Sequence, residues 1–171
     1  MILNNLKKIL LSGIMNSNNT ANNVPSFNGV TLVDEDGNDQ NITSANYSNN
    51  SSRQNSIVNA LNHAATTATS GTLTLKVGNG TTAPAENDYR MENENPNLTI
   101  NSISTTFTAN LTKVYTATIG NSTQNDIDIT EIGVFITDSY SNSIMIEHTV
   151  KTTPITINAG QNKAITIELS M

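Results

Sequence analysis

Residues 144–169 read IMIEHTVKTTPITINAGQNKAITIEL. Ile144, Ile146 and His148 alternate with Met145, Glu147 and Thr149, and Ile155 and Ile157 lead into a turn at Ala159 to Asn162. Ile165, Ile167 and Leu169 then resume the alternation. A period of two puts one set of side chains on each face of a pleated strand, so this tail predicts strands, with 155–169 as a terminal hairpin. Upstream, Ile132, Val134 and Ile136 hold one parity and Ile127 and Ile129 the other, which predicts a slip or bulge near Thr130 and Glu131. Ile103, Phe107, Ala109, Leu111, Tyr115, Ala117 and Ile119 share a phase that Val114 leaves, predicting a bulge beside Lys113. Leu73, Leu75 and Val77 oppose Thr72, Thr74 and Lys76. Val30 to Val33 enters the turn Asp34-Glu-Asp-Gly-Asn-Asp39, where Gly37 supplies a positive φ.

These seven or eight short strands, rich in Thr and Ile, predict a mainly β fold, an antiparallel β-sandwich or jelly-roll-like domain. Thirteen of the eighteen Ile lie at or after Ile100, which places the main core in the later half. Helices do not alternate with the strands, which argues against a parallel α/β sheet.

Two segments have helical spacing. In residues 1–15, Ile2, Leu3, Leu6, Ile9, Leu10 and Ile14 recur near 3.6 with Lys7 and Lys8 on the flank. The basic pair lies inside the apolar pattern rather than before it, which argues against a secretory leader. The Asn-rich stretch 16–25 carries too few apolar side chains to offset the entropy of ordering. Together these predict residues 1–26 as a partner-docking arm and linker, with a helix on the chain's own core as the rival reading. Residues 27–171 are then the β-sandwich domain, its core strands mostly within 72–171. A short internal helix is predicted from Ser51 to about Ala65, with Ile57, Val58 and Leu61 on its apolar face.

The chain has 171 residues, no Cys and no Trp, and a formal charge of −6; Asn, Ser and Thr make up about 40% of it. No disulfide scaffold, thiol nucleophile or Cys-ligated zinc site is available. Eight scattered Lys and Arg do not suit a nucleic-acid binder. No stretch reaches the ~20 apolar residues of a membrane span. Asn-x-Ser/Thr triplets at Asn41, Asn97 and Asn110 are what chance gives in such a composition.

Candidate chemistry is sparse. His63 and His148 stand 85 positions apart in different patterns. Asp126, Asp128 and Glu131 gather carboxylates near one strand, yet acid/base work needs a fold that fixes their spacing. Asp34-x-Asp36-x-Asn38 matches the start of a calcium loop, but Asp39 and Ala45 occupy the places of its Gly and Glu, so it reads as an acidic hairpin tip. Gly78-Asn-Gly80 lacks the third Gly, the Lys and the helix of a phosphate loop and reads as a turn, with Pro84 stiffening the loop after it. Gly133 inside a strand predicts a bend or close backbone approach. Glu131, entering a core strand, calls for partners such as the N–H groups of the Gly78 to Thr82 loop, or Arg90. No catalytic set, cofactor or metal is predicted.

Three segments in order resemble small virion structural proteins of tailed bacteriophages. Leu75-Lys-Val-Gly-Asn-Gly-Thr-Thr-Ala-Pro and its continuation to Glu92 is similar to their Gly-x-Gly-Thr-x-x-Pro stretch. Asp126-Ile-Asp-Ile-Thr-Glu-Ile-Gly-Val-Phe135 is similar to a strand with Glu-hydrophobic-Gly at its centre. Ile144 to Val150, Thr153 to Gly160 and Ala164 to Leu169 resemble their closing strands, with His148 where Arg is usual. The resemblance spans residues 72–171 and implies an accessory capsid or tail component in the virion: a fibre, decoration or adaptor. The implied partners are other virion proteins and further copies of the chain, a trimer being one arrangement. A receptor- or carbohydrate-binding module is the alternative, drawing on the few aromatics Phe27, Tyr47, Tyr89, Phe107, Tyr115, Phe135 and Tyr140.

Overall fold

One helix and eight strands occur in the order α1 (Asn4–Met15), β1 (Val30–Val33), β2 (Asp39–Ile42), β3 (Thr72–Gly78), β4 (Leu98–Phe107), β5 (Thr112–Asn121), β6 (Ile127–Thr137), β7 (Ser143–Ile157) and β8 (Asn162–Ser170). The computed structural model describes residues 1–15, 30–42, 57, 72–107, 112–138 and 140–170. The fold is mainly β, of the antiparallel β-sandwich class, as the alternation predicts. Its sheets have the orders β1-β2, β3-β6-β7 and β4-β5-β8. Of the predicted internal helix only Ile57 is among the described residues, helical and buried.

The chain divides into two compact units. Unit 1 comprises Met1–Thr74, Ala85–Arg90 and Val134–Glu147. Here the expected docking arm is corrected. Leu3, Leu6 and Ile9 are buried, Ile2 is half-buried and bridges Glu147, and the side chains of Leu10 and Ile14 lie outside the described residues. Each buried Leu or Ile gains about 1.5–3 kcal/mol by leaving water, so an apolar helix face within reach of a core joins it. Polar fastenings complete the docking. Leu3 N–H donates to Ile146 O and Asn4 N–H to Glu86 O, giving partners to amides that no helical carbonyl can serve. Buried Asn5 donates to Val33 O (2.9 Å) and Met145 O (3.1 Å) and accepts from Val33 N–H (3.0 Å), matching one strand residue at both backbone groups.

The β1-β2 hairpin pairs Val30 with Ile42 and Val33 with Asp39. Its tip and the tip joining β6 to β7, also in unit 1, are built alike. Asp34 N–H donates to Asn38 O and Gly37 N–H to Asp34 O; Asp138 N–H donates to Asn142 O and Ser141 N–H to Asp138 O. Gly37 and Ser141 hold the left-handed position, with φ of 85° and 66°. In each, the same pair of backbone hydrogen bonds is closed by one residue of positive φ.

Unit 2 comprises Leu75–Pro84, Met91–Gly133 and His148–Met171. β5 lies between β4 and β8, and Ile103, Ala117 and Ile165 share one row, as Ser104, Thr116 and Thr166 share another. The first row faces inward and the second outward, which is the alternation read from the sequence. The bulge sits elsewhere than predicted. β5 keeps continuous register through Lys113 and Val114, whereas β4 shifts between Ile100 and Ser102. Asn101, the residue set out of register, donates to Asn162 Oδ1 (3.1 Å) over Gly120, where a Cβ would lie 2.7 Å from both side chains.

The predicted terminal hairpin is corrected as well. β7 borders β6 while β8 borders β5, so residues 158–161 carry the chain from one sheet to another. Ile165 and Ile167 find buried Ala117 and Tyr115 in register, and Asn121 fixes the crossing through Gln161 O and Ile157 O. Nor does the parity change in β6 need a slip. Every residue from Glu131 to Ile136 is buried, so both faces of this central strand are interior. No helix among the described residues is long and apolar enough to cross a membrane.

Candidate functional site

The most organised polar group of unit 2 is centred on Glu131, which is fully buried in β6. Four groups reach its carboxylate. Oε1 accepts from Glu92 N–H (2.6 Å) and lies 2.9 Å from His148 Nε2; Oε2 accepts from Asn93 N–H (3.0 Å) and Gly80 N–H (3.2 Å). A carboxylate offers about four lone-pair positions, so this one is saturated by protein. His148 Nε2 fills the fourth position, as donor or acceptor according to the imidazole tautomer.

The chain reaches Glu131 through a loop and a return. Asn79 N–H donates to Asn93 O, Asn95 N–H to Val77 O, and Gly78 bridges Glu94, so residues 91–95 run back along the end of β3. Lys76 and Glu94 close the outside of this return at 3.1 Å. Glu92 contributes at both ends. Its N–H serves Glu131, while its own carboxylate accepts from Thr81 N–H (2.7 Å), Thr82 N–H (2.8 Å) and the Thr82 hydroxyl (2.8 Å). The Thr82 N–H, Thr82 hydroxyl and Thr81 N–H hold the Glu92 carboxyl below its ordinary value, outweighing the opposing effect of desolvation, and a protonated His148 adds to them. Thr130 Oγ1 donates to Gly80 O (2.8 Å).

Gly78 and Gly80 are required by contact. A Cβ on Gly78 would run into the Asn93 carbonyl oxygen, and one on Gly80 would lie 2.5 Å from Glu131 Oε2 and 2.8 Å from Glu92 Cβ. Pro84 comes next, half-buried in the same loop, and Gly133 is buried in β6 two residues beyond Glu131. The structure brings Gly78, Gly80, Glu131 and His148 into one cluster; Arg90, the other expected partner, lies over the Tyr89 ring at 5.6 Å in unit 1. Sequence reasoning missed His148 and Glu92. The signal for His148 was its place in the apolar phase of Ile144 and Ile146.

Saturation limits the chemistry open to this arrangement. With its contacts all made by protein groups, the Glu131 carboxylate has no position left open to a metal ion. It fastens a loop to a strand. The other expected carboxylates are also engaged separately: Asp126 accepts from Ala159 N–H (2.8 Å) and Asp128 from the Thr156 hydroxyl (2.6 Å). Among the described residues no three His, Cys, Asp or Glu side chains are placed to hold a metal. His63 lies outside the described residues.

The calcium-like turn of unit 1 is closed by the same logic. Buried Asp34 accepts from Asp36 N–H (3.0 Å) and Asn38 N–H (2.9 Å) at Oδ1, and from the side-chain amides of Asn38 and Gln40 at Oδ2. Desolvation works against ionisation, and the hydrogen bonds of Asn38, Gln40 and Asp36 overcome it, holding the carboxyl below its ordinary value. Of the aromatics proposed as sugar platforms, Tyr115 and Phe135 are buried in the core and Tyr89 packs near Gly37. Tyr140 stands 71% exposed on the Asp138 turn. Phe27 and Tyr47 lie outside the described residues. Compared with protein-family profiles, with curated proteins and with solved structures, the chain matches none.

Proposed function

We infer that the chain is a structural protein of a tailed-bacteriophage virion, an accessory capsid or tail component that works by assembly and not by catalysis. One observation carries the reading. The segments that resemble virion proteins are far apart in sequence, yet each supplies part of the Glu131 cluster: Gly80 and Glu92 from the first, Glu131 from the second, His148 from the third. Residues that resemble a family pattern and also meet at one buried carboxylate support a shared folded module better than three chance matches do. The neutral Asn, Ser and Thr surface suits close packing beside identical neighbours without strong self-repulsion.

With its apolar face buried in unit 1, α1 is not the docking element in this reading; the strands of the sandwich are. The test is mass spectrometry of density-purified particles from a phage whose genome encodes the chain. The expected result is the intact chain at a fixed stoichiometry to the major capsid or tail protein. Particles that lack it overturn the proposal.

A further inference from the structure

The two three-stranded sheets have four edge strands, β3, β7, β4 and β8. A bare sheet edge is a template for another chain, and proteins ordinarily guard it with charge or proline. β3 carries Lys76, β7 carries Lys151 and Pro154, and β8 carries Lys163 and Glu168. β4, LTINSISTTF, carries none, and the uncharged stretch extends from Asn95 to Thr112. Its one irregularity, at Asn101, leaves Ser102 to Phe107 in unbroken register with β5, and among the described residues no strand pairs its other side.

Burial marks the same edge independently. In the inward rows Ile119 and Ala117 of β5 are buried, and Ile165 and Ile167 on the opposite edge strand are buried too. Ile100 and Ile103 of β4 are only half-buried, although they lie in register with Ile119 and Ala117. Two comparable edges of one sheet thus differ: the charged one has its apolar side chains covered, the uncharged one does not.

We propose that β4 is the strand through which two copies of this chain associate, pairing antiparallel with β4 of a second copy to join two β4-β5-β8 sheets into one of six strands. The occupant is a second copy because a neutral strand is complementary to itself about a two-fold axis, and because a chain of charge −6 meets least repulsion where it carries no charge. Pairing would satisfy the N–H and C=O groups that alternate residues of β4 direct away from β5, and would cover Ile100 and Ile103. Ser102, Ser104 and Thr106, exposed on the outer face, would stand opposite hydroxyl-bearing neighbours, a favourable cross-strand combination. An antiparallel pair has two-fold symmetry, so the smallest assembly it builds is a dimer.

Sedimentation velocity of the full chain over a concentration series tests this, with Ser104→Lys placing like charges near each other across the two-fold. The wild type is expected to dimerise reversibly, and Ser104→Lys to weaken the dimer at least about tenfold while the circular dichroism stays unchanged. Thr166→Lys, in the same row on β8, is expected to leave the dimer intact. A monomer at every concentration, or a dimer that Ser104→Lys does not weaken, overturns the proposal. Should Ser104→Lys fail to fold, hydrogen exchange of the wild type decides. β4 amides must gain protection with concentration; protection independent of concentration overturns the pairing. The inference stands apart from the virion reading, since a chain that dimerises in solution and is missing from particles keeps one and loses the other.

Discussion

Asp34 and Glu131 are both buried carboxylates, one in each unit, and they are satisfied by opposite means. The donors to Asp34 lie within six residues of it, at Asp36, Asn38 and Gln40. The partners of Glu131 lie 17 to 51 positions away, at His148, Asn93, Glu92 and Gly80. The first arrangement can form as soon as the hairpin turns, because the donors belong to the turn itself. The second exists only when the loop after β3, strand β6 and strand β7 have all found their places. A local carboxylate therefore shapes a turn, and a non-local one tests whether the fold is complete. Stranding a buried charge is costly in either case, but the number of elements that lose their fastening differs.

The sharpest way to break this contrast is Glu131→Ala. It leaves three backbone N–H groups and the His148 imidazole without the carboxylate they meet, and the expected loss is about 3–5 kcal/mol of unfolding free energy. Urea unfolding followed by circular dichroism measures it. A loss no greater than that from removing Asp34 would show that the distant partners add nothing beyond local hydrogen bonding.

Much of the molecule was legible in its residues because short-range physics wrote it. The alternation of Ile165 and Ile167 predicted β8, and Gly37 at φ 85° is what the tight Asp-Gly-Asn turn after Val30–Val33 requires. What could not be read was which partner each strand takes. Alternation around the turn at Ala159 suggests a hairpin equally well whether β8 turns back on β7 or crosses to β5. The apolar stripe of Leu3, Leu6 and Ile9 likewise declares that something must cover it, not what. Glu131 illustrates both sides. A charge among Ile129 and Ile132 signals a need for partners, and the Gly78 to Thr82 loop was the natural source, but His148 is brought near only by the pairing of β6 with β7. The parity change in β6 has a related origin: a strand with two buried faces has no polar phase to keep.

A smaller effect is expected at the local carboxylate. Asp34→Asn keeps the size of the side chain but turns one acceptor into a donor facing the amides of Asn38 and Gln40. At neutral pH it should cost about 1–3 kcal/mol. Acid then sharpens the comparison. The folded-state value of Asp34 is depressed below its ordinary 3.8, so the unfolded chain takes up the proton first as pH falls. The stabilisation is present above 3.8 and is lost as pH drops through the lower folded-state value. The gap between wild type and Asp34→Asn, measured by thermal melting across the acid range, should therefore narrow below pH 3.8. A gap that stays constant would mean the carboxylate is not what the turn depends on.

The smallest effect separates the two turns that share one design. The position of positive φ is Gly37 in one and Ser141 in the other, and a side chain there costs roughly 1–2 kcal/mol because its Cβ crowds the following carbonyl. Ser141→Gly should therefore stabilise the protein by about 1 kcal/mol, while Gly37→Ala should destabilise it by at least that much, since its Cβ would also meet the Tyr89 ring at 3.3 Å. Thermal melting of both variants at neutral pH reads the two signs. If Ser141→Gly instead destabilises, the Ser141 side chain contributes more than its backbone strain removes. The strain beside exposed Tyr140 would then be retained for a contact that the Gly37 turn, with Tyr89 packed against it, has no need to make.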